Sequence, residues 1–103
     1  MVRIAVDREK IAAFCRKWNI KELSLFGSVL RDDFRLDSDI DVLVVFAENT
    51  HWGLFDFGRM EDELQAIFNR KVDLVTRRSV EESPNYIRRN HILRHMEVVH
   101  VAG

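Results

Sequence analysis

Two aspartates separated by one residue, Asp39 and Asp41, are the clearest candidates for chemistry in this sequence. They open the segment 39–46, DIDVLVVF, whose β-branched and apolar residues predict a buried central strand. Because side chains alternate along a strand, both carboxylates should point to one face and Ile40 to the other. Two like charges so close repel each other, and a bound Mg²⁺, which prefers oxygen ligands, would relieve that repulsion. The alternative is two solvated aspartates at the start of a strand.

A third acid, Asp73, lies within another apolar run, 71–76 (KVDLVT), which predicts a further strand. Aspartate is depleted in strand interiors and is costly to bury without a partner. Asp73 could therefore form an ion pair with a neighbouring base, which would be Arg70, Lys71 or Arg77. It could instead bring a third carboxylate to the same metal centre, and three acids can hold the two divalent ions of a phosphoryl-transfer site.

A glycine–serine pair, Gly27-Ser28, follows a predicted short strand, 22–26, and precedes a predicted turn or single helical turn. Glycine lets a phosphate approach the backbone closely, and the Ser28 hydroxyl and adjacent N–H groups can donate hydrogen bonds to it. Ten residues separate Ser28 from Asp39. The two strands could thus be neighbours, with a phosphate-binding loop and the carboxylates at one end of a sheet.

Helices are predicted on either side of these strands. An apolar stripe at helical spacing follows Asp7, a potential N-cap, and ends before Asn19, a potential left-handed stop; it comprises Ile11, Phe14, Cys15 and Trp18. Helical spacing also predicts a helix over 54–69. Ser83 and Pro84 are interpreted as the cap and first residue of a last helix ending near His95, before a short strand over 97–101. This order of elements favours an α/β (or α+β) fold with a small sheet flanked by helices.

Composition limits what the chain can be. It has 103 residues, of which 47% are hydrophobic and 32% charged, and this predicts one folded domain over 1–103. No apolar run approaches the ~20 residues of a membrane-spanning helix, and the amino terminus does not resemble a signal peptide. The single cysteine, Cys15, allows no internal disulfide and favours a reducing cytoplasm. A net charge of −1 argues against direct nucleic-acid binding by bulk electrostatics.

Charge is nevertheless uneven, with acids concentrated in 30–63 and bases in 70–95. This indicates either solvated helix faces or a cation-binding centre beside a surface that attracts phosphates or an acidic partner.

Several histidines and aromatic residues admit simpler interpretations. His91 and His95 have a spacing that can bind zinc, but no suitably placed carboxylate completes a ligand set, so a polar helix face is predicted. Trp18 and Phe57 are expected to pack in the core, whereas Trp52 and Phe55 flank a glycine and could be exposed at a partner or nucleotide surface. The remaining candidate for such a surface is Tyr86, beside two arginines.

The run 26–44 resembles the signature G-S-x₁₀-D-x-D of the DNA polymerase beta-type nucleotidyltransferase superfamily, and Asp73 matches the third acid of that superfamily. The short chain and the segment 38–44, SDIDVLV, are most similar to the minimal nucleotidyltransferases (MNT). These proteins are commonly the antitoxins of HEPN/MNT toxin–antitoxin pairs. The resemblance covers about 21–75 and implies the small mixed sheet of a polymerase beta-like nucleotidyltransferase fold.

This resemblance also implies an activity: metal-dependent transfer of a nucleoside monophosphate, AMP from ATP, to a hydroxyl, with pyrophosphate leaving. Asp39 and Asp41 would bind two Mg²⁺ ions, and Asp73 would bind the catalytic ion and orient or deprotonate the acceptor. Gly27 and Ser28 would hold the triphosphate. The remaining candidate is Arg31, which would contact the nucleotide unless it forms a surface ion pair with Asp32 or Asp37.

The implied partners are an NTP and a HEPN-family toxin, because the acceptor of related MNT antitoxins is a tyrosine of the HEPN protein. No membrane partner and no direct nucleic-acid binding are expected. The alternative is a non-catalytic antitoxin that neutralises its toxin by binding and masking it. Transfer to a small molecule such as an aminoglycoside is a more distant alternative, since that chemistry usually needs an added substrate domain.

Overall fold

The apolar stripe near the amino terminus forms helix α1 (Arg8–Trp18). Its N-cap is Asp7, whose side chain accepts a hydrogen bond from the backbone N–H of Lys10 at 3.2 Å. The helix ends at Asn19, which adopts the left-handed conformation with φ of 55°. All four residues of the predicted stripe are buried, so the cap, the stop and the buried face are confirmed.

The structure, a computed structural model, describes residues 6–30 and 39–102. Its four strands are β1 (Ile20–Phe26), β2 (Ile40–Phe46), β3 (Val72–Thr76) and β4 (Glu97–Val101). They form one sheet in the order β3-β2-β1-β4. β1 is antiparallel to both of its neighbours, whereas β2 and β3 are parallel, so the sheet is mixed.

Strand β2 lies inside the sheet, as its apolar sequence predicts, and Val42 and Val44 are fully buried. β1 begins two residues earlier than expected because Ile20, only 3% exposed, belongs to the core and pairs with Phe46 on β2. The prediction of a small mixed sheet flanked by helices is confirmed.

One face of the sheet packs against α1 and helix α2 (Leu54–Phe68). The buried side of α2 consists of Met60, Leu64 and Phe68, which join the α1 stripe and alternate residues of the strands in the larger core. The strand residues in this core include Leu23, Leu25, Ile40, Val42 and Val44.

The opposite face packs against two shorter helices, α3 (Arg77–Glu81) and α4 (Tyr86–His95). Its core is a smaller cluster made of Phe26, Leu43, Val80 and Ile92. Helix α3 is absent from the elements predicted above. It forms directly after β3 because the hydroxyl of Thr76 accepts a hydrogen bond from the Ser79 N–H at 3.0 Å and caps it.

The start of α4 corrects the sequence prediction. Ser83 and Pro84 lie outside the helix, and Asn85 is the N-cap, accepting from the Arg88 N–H at 3.1 Å. The Ser83 hydroxyl instead accepts from the Asn85 N–H at 3.3 Å. Asparagine caps as well as serine does, and here Asn85, two residues after Ser83, is the cap. In the described part of the chain, the helices are too short and too polar to cross a bilayer.

Candidate active site

The strands that carry the acids run parallel and place Asp41 directly beside Asp73. Neighbouring strands lie ~4.8 Å apart, and side chains of paired residues project to the same face. Asp41 is half-buried and Asp73 exposed. Within the described residues, Asp73 forms no ion pair with Arg70, Lys71 or Arg77. The alternative of an ion pair between Asp73 and one of these bases is therefore wrong. The carboxylates of Asp41 and Asp73 lie side by side at one end of the sheet.

Asp39 immediately precedes β2 and is exposed. The backbone N–H of the next residue, Ile40, donates to the Lys71 carbonyl at 2.9 Å and ties the starts of β2 and β3 together. Ile40 is fully buried in the larger core, on the face opposite to Asp41. The buried Ile40 therefore fixes the backbone between Asp39 and Asp41. Both acids lie at the end of the sheet where Asp73 also lies.

Gly27 brings the turn after β1 against the same carboxylate. Phe26, the last residue of β1, pairs with Asp41, and Gly27 follows with φ of 77°, which favours glycine. A Cβ atom at position 27 would overlap the Asp41 carboxylate. Only glycine therefore allows this close approach. The 3₁₀ turn Gly27–Leu30 then places the backbone of Ser28 next to the acids. Arg31 lies outside the described residues, and its role remains a prediction.

The acids fit hard divalent cations by donor chemistry, because all three are carboxylates. Among residues 6–30 and 39–102, however, no three histidine, cysteine, aspartate or glutamate side chains lie close enough to enclose a metal ion. Asp39, Asp41 and Asp73 are thus not gathered into a complete ligand set in the described structure, and a cation bound there would need oxygen atoms from another source. Mg²⁺ commonly completes its coordination with substrate phosphates and water, so the arrangement fits a metal that arrives with a nucleotide.

A cavity of about 490 Å³ adjoins Gly27 and Asp41 and extends to α4. Its lining consists of Phe26, Gly27, Leu30, Asp41, Arg88, His91, Ile92 and His95. The prediction of a polar helix face for the two histidines is incomplete, because that face borders the candidate site. Arg88, His91, Ile92 and His95 follow helical spacing. The helical spacing could have predicted from the sequence that these residues share one face of α4. The sequence did not show that this face lies beside Asp41.

The aromatic residues divide differently from expectation. Trp18 is 5% exposed, as predicted for a packing residue. Trp52 is half-buried rather than exposed, because its indole N–H donates to the Trp18 carbonyl at 2.9 Å and its ring packs edge-on against Trp18. Phe57 packs edge-on against Phe46, whereas Phe55 is 91% exposed. None of these four lines the cavity beside Asp41.

Cys15 is an inert core residue, as predicted. It is 1% exposed, and burial raises the pKa of its thiol to about 12, although the charge of Arg16 acts in the opposite direction.

Comparison with known proteins agrees with the motif. The profile of the family described as "Nucleotidyltransferase domain" matches residues 8–95. A Methanocaldococcus jannaschii protein named "Putative protein adenylyltransferase MJ0435" is 36% identical over 71% of this chain and 76% of its own length. The protein adenylyltransferase MntA of Thermococcus cleftensis is 36% identical over 62% of this chain. The match spans 63% of MntA and 64% of a further M. jannaschii relative, so less than two thirds of each is represented.

Solved structures share the fold. A toxin–antitoxin crystal structure with AMP-PNP has a TM-score of 0.69 at 18% identity, covering 94% of this chain and 75% of that chain. A structure described as a "putative minimal nucleotidyltransferase" has a TM-score of 0.64 at 32% identity, covering 86% and 85%. A complex of tri-AMPylated Shewanella oneidensis HEPN toxin with MNT antitoxin has a TM-score of 0.61 at 18% identity, covering 92% and 70%. The profile match, the identities and the superposed fold agree, and this chain belongs to the nucleotidyltransferase domain family.

Proposed function

We propose that this chain transfers AMP from ATP to a hydroxyl of a HEPN-family partner, a tyrosine side chain, and thereby acts as an antitoxin. The observation that carries the proposal is the in-register pairing of Asp41 with Asp73, with Gly27 packed against the Asp41 carboxylate. Those contacts support the proposal, because they bring two carboxylates and a glycine turn that could bind phosphate to one end of the sheet. The AMP-PNP complex and the tri-AMPylated HEPN complex of structural neighbours support the choice of donor and acceptor.

Asp39, Asp41 and Asp73 would hold two Mg²⁺ ions together with the nucleotide's phosphates. When bound, these ions would neutralise the charge that develops on the transferred and leaving phosphates. In the reaction, a bond forms between the acceptor oxygen and the α-phosphorus, and the bond from that phosphorus to the bridging oxygen of pyrophosphate breaks.

The protein's own groups would position the reactants. The backbone of Gly27 and Ser28 would donate hydrogen bonds to the triphosphate, since glycine leaves room for a phosphate there. Asp73, exposed at the edge of the sheet, would orient the acceptor hydroxyl and take its proton. The exposure of Asp73 suits this role, because an acceptor on another protein must reach it from solvent.

The test is transfer of label from α-³²P-ATP, with Mg²⁺, to the product of the neighbouring gene. We expect transfer by the wild type and its loss, by at least about 10³-fold, when Asp39→Asn and Asp41→Asn are combined. The matched control is Asp62→Asn, an exposed acid on α2, which should transfer normally. No transfer by the wild type, or equal transfer by the double variant, would contradict the proposal.

The same variants separate catalysis from masking. If AMP transfer is how the toxin is silenced, the double variant should fail to rescue growth of cells that produce the toxin, while Asp62→Asn rescues fully. Complete rescue by the double variant would show that binding alone neutralises the toxin.

A further inference from the structure

The cavity beside Asp41 has two walls of different origin. One is the end of β1 with its turn, which includes Gly27, and the other is a face of α4 that presents Arg88, His91 and His95. Asp41, Leu43 and Val45 alternate along β2 onto the face that α4 covers, because Leu43 and Ile92 share the smaller core. Ile92 thus fixes α4 over the acidic end of the sheet. A volume of about 490 Å³ lies within the range of small-ligand pockets.

The arginines of α4 differ in their contacts. Arg89 donates hydrogen bonds to the backbone carbonyls of Glu81 and Ser83, and these hold the start of α4 against α3. The guanidinium of Arg88, by contrast, makes no hydrogen bond or ion pair within the part of the chain that the structure describes. It is exposed and borders the cavity that contains Gly27. A guanidinium without a partner among the described residues, bordering the same cavity as Gly27, is suited to an anion.

The two histidines extend this wall by one and two further turns. Nδ1 of His95 lies 2.8 Å from the His91 carbonyl, and because a carbonyl only accepts, that nitrogen carries the hydrogen. The two rings stack with centroids 4.4 Å apart and an interplanar angle of 30°. His95 is therefore fixed by the backbone and supports the ring of His91. Within residues 6–30 and 39–102, the His91 ring nitrogens make no hydrogen bond, and the ring lines the cavity beside Arg88.

We propose that α4 forms the second wall of the donor-nucleotide site, with Arg88 and His91 binding the polyphosphate of the donor opposite Gly27. The proposal rests on the proposed function for the identity of the donor. Asp39, Asp41 and Asp73 repel a polyphosphate unless cations intervene, so a positive group on the opposite wall favours binding. Arginine suits this task because its guanidinium can donate two parallel hydrogen bonds to phosphate oxygens.

The experiment measures binding rather than transfer. Calorimetric titration with Mg²⁺ and inorganic tripolyphosphate, and separately with ATP, is compared for the wild type, Arg88→Gln, His91→Gln and Arg94→Gln. The control Arg94 is exposed on the same helix, has the same charge and does not line the cavity. We expect Arg88→Gln to weaken both ligands roughly 10- to 100-fold, and His91→Gln severalfold. Arg94→Gln should bind like the wild type, and Arg88→Lys should recover part of the loss.

Three other outcomes overturn the proposal. Unchanged binding in Arg88→Gln excludes the contact. Weakened ATP binding with unchanged tripolyphosphate binding places Arg88 at the nucleoside instead. An equal loss in Arg94→Gln shows only general charge attraction. Wild-type transfer of AMP with unaltered binding by Arg88→Gln would leave the proposed function intact and remove the α4 wall. If Arg88→Gln weakens tripolyphosphate binding but the wild type transfers no AMP, the α4 wall is supported and the proposed function is contradicted.

Discussion

The two faces of the sheet are each covered by a pair of helices, but they are built from different side chains. Under α1 and α2, the face is filled by aliphatic and aromatic residues, and Ile11, Leu23 and Leu64 are fully buried. Under α3 and α4, the apolar cluster is small and adjoins a cavity that Asp41, Arg88, His91 and His95 help to line. α1 and α2 also have 11 and 15 residues, against 5 and 10 for α3 and α4.

This difference indicates that one face of the sheet mainly stabilises the fold and the other carries the candidate site. Burial of apolar area is the main favourable term in folding, so the α1–α2 face should supply most of the stability. The paired acids Asp41 and Asp73, by contrast, carry like charges that repel each other. We therefore expect substitutions on one face to change unfolding and substitutions on the other to change nucleotide chemistry.

The largest expected effect is on the sheet face under α3 and α4, from Gly27→Ala. Its methyl group would collide with the Asp41 carboxylate, and alanine at a positive φ costs roughly 1–2 kcal/mol. Displacing a catalytic carboxylate by about 1 Å can cost ~10²-fold in rate. We expect AMP transfer per folded molecule to fall by at least that factor, measured by label transfer and normalised by circular dichroism.

Gly58→Ala is the matched control for this substitution. Gly58 lies within α2, and nothing lies within 4 Å of the position a Cβ would take. Alanine is a better helix former than glycine by roughly 0.5–1 kcal/mol, so this variant should be slightly more stable and fully active. Normal transfer by Gly27→Ala would show that the close approach to Asp41 is not needed.

The sequence predicted the face under α3 and α4 only in part. The spacing of Gly27 and Asp41 predicted that the turn and the carboxylate lie together, because strand alternation and a short connection leave few arrangements. Their roles in binding and catalysis stay predictions. The pairing of Asp73 with Asp41 required knowing that β2 and β3 are parallel neighbours in register, which no local pattern encodes. The sequence of α4 shows no clear apolar stripe, because Tyr86 and Ile87 are exposed and Ile92 is its one buried residue, so its position near Asp41 could not be predicted.

The next effect is on the other face, where Leu64→Ala should remove about 3 kcal/mol from the free energy of unfolding. Leu64 is fully buried between α2 and the sheet, so its truncation leaves a cavity in the larger core. Denaturant titration would measure the loss. AMP transfer per folded molecule should be unchanged, because no residue on the sheet face under α3 and α4 is altered.

The chain offers a control with the same chemistry on the same helix. Leu54, the first residue of α2, is 87% exposed, and Leu54→Ala should change stability by no more than about 0.5 kcal/mol. A similar loss in both leucine variants would mean that the larger core does not carry the stability assigned to it. A loss of transfer by folded Leu64→Ala would mean that the two faces are coupled.

The smallest effect compares one acid on each face. Glu63 on α2 accepts hydrogen bonds from Lys17 Nζ at 2.8 Å and from the Trp18 indole at 3.1 Å, which joins α2 to α1. Burial raises the pKa of Glu63, but those hydrogen bonds and the charges of Lys17 and Arg59 outweigh it, so the pKa lies below the ordinary 4.5. A lowered pKa in the folded state stabilises the protein when the carboxylate is ionised.

Glu63→Gln should therefore lower the free energy of unfolding by about 0.5 kcal/mol at pH 7, since the pair is partly exposed. The difference from the wild type should shrink as pH falls below 4.5, because wild-type Glu63 then becomes protonated. Glu82→Gln is the control on the other face, where the ion pair with Arg78 is more exposed. Thermal unfolding at pH 7 and pH 3 should show a pH-dependent difference for Glu63→Gln alone. A difference of equal size at both pH values would mean that Glu63 acts through its shape rather than its charge.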